Sequence, residues 1–165
     1  MPDAAIVSTL AGVRHAGLSG KESGALWLGS RQEVAEVTTV ALPVGDGHDE
    51  ARSQWSVSAQ AYGTLSRWAK PQGLSLLGVL HLHLPGIAPR MSQTDRNHGV
   101  RAPAVLSIII GNGGADEEPE RWGWFVFEEH DFRQFSPGEL GRRVKRTRDR
   151  RIETVLFNRK EVLRR

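Results

Sequence analysis

"HLHLPGIAPRMSQTD" (residues 81–95) decides how this chain is read. Upstream of it, "LSLLGVLHLHL" (74–84) is an apolar run of strand length, too hydrophobic for a sheet edge. Side chains alternate along a strand, so His81 and His83 share one face while Leu80, Leu82 and Leu84 take the other. The following "LPGIAPRM" (84–91) holds two prolines and a glycine, a composition that reverses the chain at little cost. "SQTD" (92–95) then has the form of a helix start, with Ser92 as N-cap and Asp95 one turn in. Such a turn swings the Asp95 carboxylate back toward the C-terminal end of the strand.

Two imidazoles and one carboxylate are a metal-ligand set that leaves a fourth tetrahedral position for water, the arrangement of a catalytic zinc site. Each half of the pattern also has an ordinary reading: histidines on a polar sheet face, and a capped helix. The combination H-x-H followed by S-x-x-D needs four residue types in fixed order, which makes coincidence the poorer account. Amidohydrolase barrels, which also use H-x-H on a strand, need about 250 residues. Metallo-β-lactamase-like sites would need Asp-His soon after His83, where leucine, proline and glycine stand.

Working outward, Ile6, Leu10 and Val13 recur at helical spacing before the stop "GLSGK" (17–21). "GALWLGS" (24–30) and "EVAEVTTVALPV" (33–44) predict a β-hairpin, ended by "GDGHDE" (45–50). "SVSAQAYGTLSRWAK" (56–70) predicts a helix closed by Pro71 and Gly73. "AVLSIIIGN" (104–112) is a second apolar strand, expected beside 74–84 at the sheet centre. "GNGGADEEPE" (111–120) reads as a mobile hairpin loop feeding the strand "RWGWFVFEE" (121–129). "SPGEL" (136–140) opens a further helix with Ser136 as N-cap and Pro137 at its first position. The order predicts an α+β fold: a mixed sheet flanked by helices, with a basic helical segment at the C-terminus.

The 165 residues suit one domain with a single core, and 39% hydrophobic residues with five tryptophans place the chain among folded globular proteins. With no cysteine there is no disulfide, thiolate zinc site or cysteine nucleophile, so a metal has His, Asp, Glu and water to bind it. The N-terminus carries an acid where a signal peptide needs basic residues, and no apolar run reaches membrane-spanning length, which makes a cytoplasmic protein the expectation. Charge is uneven. Residues 1–140 hold 11 Lys+Arg against 16 Asp+Glu, whereas 141–165 hold 11 against 3. These halves divide the chain into a body (1–140) and a basic helical tail (141–165), suited to an acidic partner or to the body's own acidic face. Phe157 is the one aromatic residue among the tail's charges, so nucleic acid read by base stacking is not expected.

In sum these residues resemble the JAMM motif of the MPN/JAB metalloprotease family: an upstream glutamate, then H-x-H, a loop and S-x-x-D. "ESGALWLG" (22–29) is similar to the Glu-bearing strand opening of that family. The likeness in layout runs over residues 5–130, and implies a curved mixed sheet with a cytidine-deaminase-like layout. Its pattern differs in two respects: Leu84 stands where the family has proline, and eight residues rather than seven separate His83 from Ser92.

Carried over by position, the resemblance implies that His81, His83 and Asp95 bind one Zn²⁺ per chain. Glu22 would be the general base for the attacking water, returning the proton to the leaving amine. Ser92 would hydrogen-bond the oxyanion of the attacked amide. It implies a zinc isopeptidase that cuts after the C-terminal Gly-Gly of a ubiquitin-like protein, in precursor processing or removal from conjugates. Activating and conjugating enzymes would be further partners, and bacterial antiphage defence a setting. The alternative is a non-catalytic scaffold of the same fold that binds such a partner.

Overall fold

The computed structural model describes residues 1–50, 54–148 and 150–165. In chain order the elements are α1 (Asp3–Leu18), β1 (Gly24–Arg31), β2 (Ala35–Pro43), β3 (His48–Glu50), β4 (Trp55–Val57), α2 (Ala59–Ala69) and β5 (Ser75–Leu82). There follow α3 (Gln93–His98), β6 (Leu106–Ile110), β7 (Gly123–Glu128), β8 (Asp131–Gln134), α4 (Pro137–Arg143), β9 (Glu153–Phe157) and β10 (Val162–Arg164). Among the described residues the main sheet has eight strands in the order β10-β9-β2-β1-β5-β6-β7-β8. It is mixed: β5 runs parallel to β6 and β2 parallel to β9, while the other neighbours are antiparallel. The expected α+β class, with a mixed sheet and flanking helices, is what forms.

Helices pack on both faces of the sheet. α1 lays Ile6, Leu10 and Val13 onto Trp27, Val40, Leu80, Leu82, Ile108 and Ile110. Trp27 turns its indole N–H to the buried Thr9 hydroxyl at 2.9 Å, so its polar atom is satisfied inside the core. On the opposite face α2 packs Ala61, Leu65 and Ala69 against Leu26, Leu28, Val155 and Phe157. β5 therefore lies between two apolar layers, as its leucine-rich sequence anticipates.

Two expectations are corrected. The stretch 56–70 is not helical from its start: Trp55–Val57 pairs with His48–Glu50 as a two-stranded ribbon. The helix begins after Ser58, whose hydroxyl accepts from the Ala61 N–H at 3.2 Å. The cap thus sets the boundary, and the β-branched and aromatic residues before it go to the ribbon.

The larger correction concerns 141–165. The helix stops at Arg143, and the chain returns as β9 and β10 rather than continuing as a basic helical tail. β9 joins the sheet parallel to β2, and Val155 and Phe157 are fully buried. The physical reason is the alternation in "ETVLF", which a strand satisfies and a helix does not. Arginines around it pair with the acidic body, Arg146 with Asp3 at 2.9 Å and Arg150 with Glu36 at 2.8 Å. No helix is long and apolar enough to cross a membrane among the described residues.

Candidate metal centre

The site forms where β5 ends. His81 is its penultimate residue, and the His83 backbone continues beyond it, its N–H donating to the Ile110 carbonyl at 2.8 Å. Both rings point to the face opposite Leu80 and Leu82, as strand alternation requires. On the neighbouring strand, Gly24 lies opposite His81, and the Ser23 carbonyl accepts from the Leu82 N–H at 2.8 Å. Half-buried Glu22 directly precedes Ser23, close enough for its carboxylate to feel the charges of His81, His83 and Asp95. Gly24 is required by close approach: a Cβ there would meet the Leu80 carbonyl oxygen at 2.2 Å and the Trp55 ring at 2.8 Å.

Asp95 arrives from α3. Ser92 and Asp95 form a reciprocal capping box: Ser92 Oγ accepts from the Asp95 N–H at 3.1 Å, and Asp95 Oδ2 accepts from the Ser92 N–H at 2.7 Å. The cap and the ligand are therefore one device, since the box fixes the rotamer that presents the carboxylate to the rings. Arg96, the next residue, ties α3 to β8 through the Asp131 carboxylate.

The three groups converge. Asp95 Oδ1 lies 3.0 Å from His81 Nε2, Asp95 Oδ2 lies 3.4 Å from His83 Nε2, and the two Nε2 atoms are 3.2 Å apart. Tetrahedral coordination with bonds of about 2.0–2.1 Å sets its donor atoms about 3.3 Å from one another. The carboxylate meets the two rings with different oxygens at close to this spacing, and one ligand atom from each residue lies within 4.8 Å of the others, so His81, His83 and Asp95 could hold a metal ion.

The hydrogen bonds support the same point. His83 Nδ1 lies 3.1 Å from the Ala88 carbonyl, which can only accept, so the neutral ring carries its proton there and aims a lone pair from Nε2 at the other two donors. A proton or a metal cation must sit among such converging lone pairs.

Electrostatics follow from this crowding. Burial pushes the Asp95 pKa up, but hydrogen bonds from His81 and His83 dominate and hold it well below the usual carboxylate range. Burial disfavours charge on His83, yet bonds to Asp95 and Ala88 with the field of Glu22 outweigh it, so its pKa is raised from 6.5. Glu22 is raised from 4.5, chiefly by burial, with the histidines opposing and Asp95 reinforcing the shift.

A pH dependence results. A metal requires the neutral His83 ring, and its raised pKa keeps the proton on to a higher pH than an ordinary imidazole would. At limiting metal, affinity should be full at alkaline pH and begin to fall while the pH is still above 6.5, as read by titration of a Co²⁺ absorption band. Affinity that stays constant down through the ordinary imidazole range would contradict the assignment.

All five residues singled out in the sequence lie at or beside this centre, with Ser92 acting on Asp95 by capping. His98 is exposed and lines a cleft with Trp55, Tyr62, Met91 and Thr94, into which His81 and Asp95 open. The residue that local pattern missed is Ala88, whose role is played by its backbone carbonyl and leaves no side-chain signature.

No protein-family model and no curated protein matches the sequence. Solved structures do. A protein of Desulfitobacterium hafniense is 18% identical over 87% of each chain, with a TM-score of 0.53. A protein of Salinibacter ruber is 21% identical over 77% of this chain and 84% of its own, with a TM-score of 0.50. At these identities the likeness is one of fold.

Proposed function

We propose that the chain is a zinc-dependent isopeptidase of the JAMM type, cutting after the C-terminal Gly-Gly of a ubiquitin-like protein. The observation that carries this reading is the convergence of His81, His83 and Asp95 at contacts of 3.0–3.4 Å, with half-buried Glu22 in their electrostatic field. A zinc ion held there supplies a polarised water and a Lewis acid for the amide carbonyl.

This chain's own residues do the rest. Glu22, its pKa raised by burial, accepts as a carboxylate the proton of the attacking water and delivers it to the departing amine, so the proton balance closes on one carboxylate. Ser92 uses an oxygen lone pair for the cap, which leaves its hydroxyl hydrogen to donate to the oxygen of the attacked carbonyl. The cleft in front of His81 and Asp95 has apolar walls at Trp55, Tyr62 and Val79, which exclude water from an extended substrate tail. Glycines at that tail's end suit the approach of peptide backbone to recessed ligands.

The test is elemental analysis of the purified protein together with a fusion whose junction follows a ubiquitin-like Gly-Gly. One zinc per chain and a cut after the second glycine are expected. His81→Ala should bind zinc at least about 100-fold more weakly, since even outer partners of metal ligands cost about 10–100-fold. A protein that holds no metal, yet retains a ubiquitin-like partner, would replace this reading with that of a scaffold.

A further inference from the structure

The loop between β5 and α3 brings Ala88 to His83, and little apolar burial holds it in shape. Pro85, Gly86, Ile87 and Ala88 are all exposed, so its conformation must come from hydrogen bonds and backbone contact. Those bonds lead to one residue. Gly86 N–H donates to Asn112 Oδ1 at 3.0 Å, and Asn112 N–H donates to the Ile87 carbonyl at 2.9 Å. The adjoining Gly113 N–H donates to the His83 carbonyl at 2.9 Å. Asn112 therefore grips the two residues that immediately precede Ala88, the acceptor for His83 Nδ1.

The backbone at Asn112 reinforces the point. Its φ is +53°, a left-handed conformation for which glycine is the default, and glycines occupy 111, 113 and 114 on either side. Asparagine is among the few side-chain-bearing residues that tolerate this conformation, and it adds the amide oxygen that glycine lacks. Gly111 is needed for a different reason: a Cβ there would lie 2.7 Å from the Pro89 ring. The segment is fixed to the core at its far end, where the Gly114 carbonyl accepts from Arg14 Nε of α1 at 2.9 Å.

We propose that Asn112 is a positioning residue for the metal centre, clamping the 84–91 loop so that Ala88 holds His83 in the Nδ1–H tautomer with Nε2 free for the metal. This rests on the reading of His81, His83 and Asp95 as metal ligands and extends it to a side chain that touches none of them. The backbone bonds alone leave Gly86 N–H without a partner, so the turn loses one of the bonds that set its distance from His83. The clamp also accounts for the tolerance of an eight-residue loop, since its length is taken up between points tied to β6 and the 111–114 turn.

Two variants of the full chain separate positioning from simple folding. Asn112→Gly keeps the left-handed backbone and removes the amide acceptor, whereas Asn112→Asp keeps both. Two-bond ¹H–¹⁵N correlation of the imidazoles in metal-free protein reads the His83 tautomer, and chelator competition reads zinc affinity. Wild type and Asn112→Asp should show a single Nδ1–H tautomer at His83. Asn112→Gly should show mixed tautomers and zinc affinity about 10-fold weaker, the lower end of the range for groups that orient metal ligands, with little change in Tm.

A single tautomer and wild-type affinity in Asn112→Gly would overturn the clamp. A wild-type protein that binds no zinc would remove the metal reading instead. In that case the tautomer measurement still decides whether Asn112 holds His83.

Discussion

Glu22→Gln is expected to lower cleavage of a Gly-Gly-linked fusion by about 10²–10⁴-fold while leaving zinc stoichiometry at the wild-type level. The substitution preserves volume and removes the ability to accept a proton. Glu22 is not one of the three groups that converge at 3.0–3.4 Å, so His81, His83 and Asp95 remain in place. The same variant should retain the substrate, and a pull-down with it offers a route to the natural modifier. Loss of zinc along with activity would move Glu22 from proton carrier to ligand support. Undiminished turnover would remove it from the reaction altogether.

Phe157→Ala is expected to destabilise the protein by about 3–5 kcal/mol, the range for a large aromatic side chain removed from a packed core. Phe157 is fully buried and packs with Leu26, Ala41 and Leu65 beneath α2, although it lies in the stretch with the highest density of positive charge. Urea unfolding followed by tryptophan fluorescence measures the change as a shift of midpoint. A loss below about 0.5 kcal/mol, typical of surface substitutions, would return residues 141–165 to the status of an appendage. The same packing predicts that removing this segment costs the fold itself, because β2 would lose its parallel neighbour and α2 part of its floor.

These outcomes separate what is local in this protein from what is not. The shared face of His81 and His83 follows from strand alternation, and the direction of Asp95 follows from a cap three residues away, so both were legible in fifteen consecutive residues. Helix α1 and the β1–β2 hairpin were equally accessible, since periodicity and turn residues act over a few positions. The C-terminal strands were not. Their charges dominate the composition, and the partner of Glu153 on β2 is Thr39, over a hundred residues earlier. The Asn112 tie was hidden for a related reason: "GNGG" looks like loop composition, and the backbone N–H it serves lies 26 residues away.

By itself, then, the sequence determined which donor atoms are present, which side of a strand they occupy and how the carboxylate is turned at the head of its helix. All of these depend on covalent spacing and backbone geometry. Only the tertiary structure decided that the donors meet at 3.0–3.4 Å, that Glu22 lies within their electrostatic field, and that the basic segment is a sheet strand. Those facts need β1 beside β5, α3 fastened to β8 through Arg96, and the 84–91 loop held at Asn112. Distances between groups far apart in the chain are set by the packing of many elements at once, and no short window of residues contains that information.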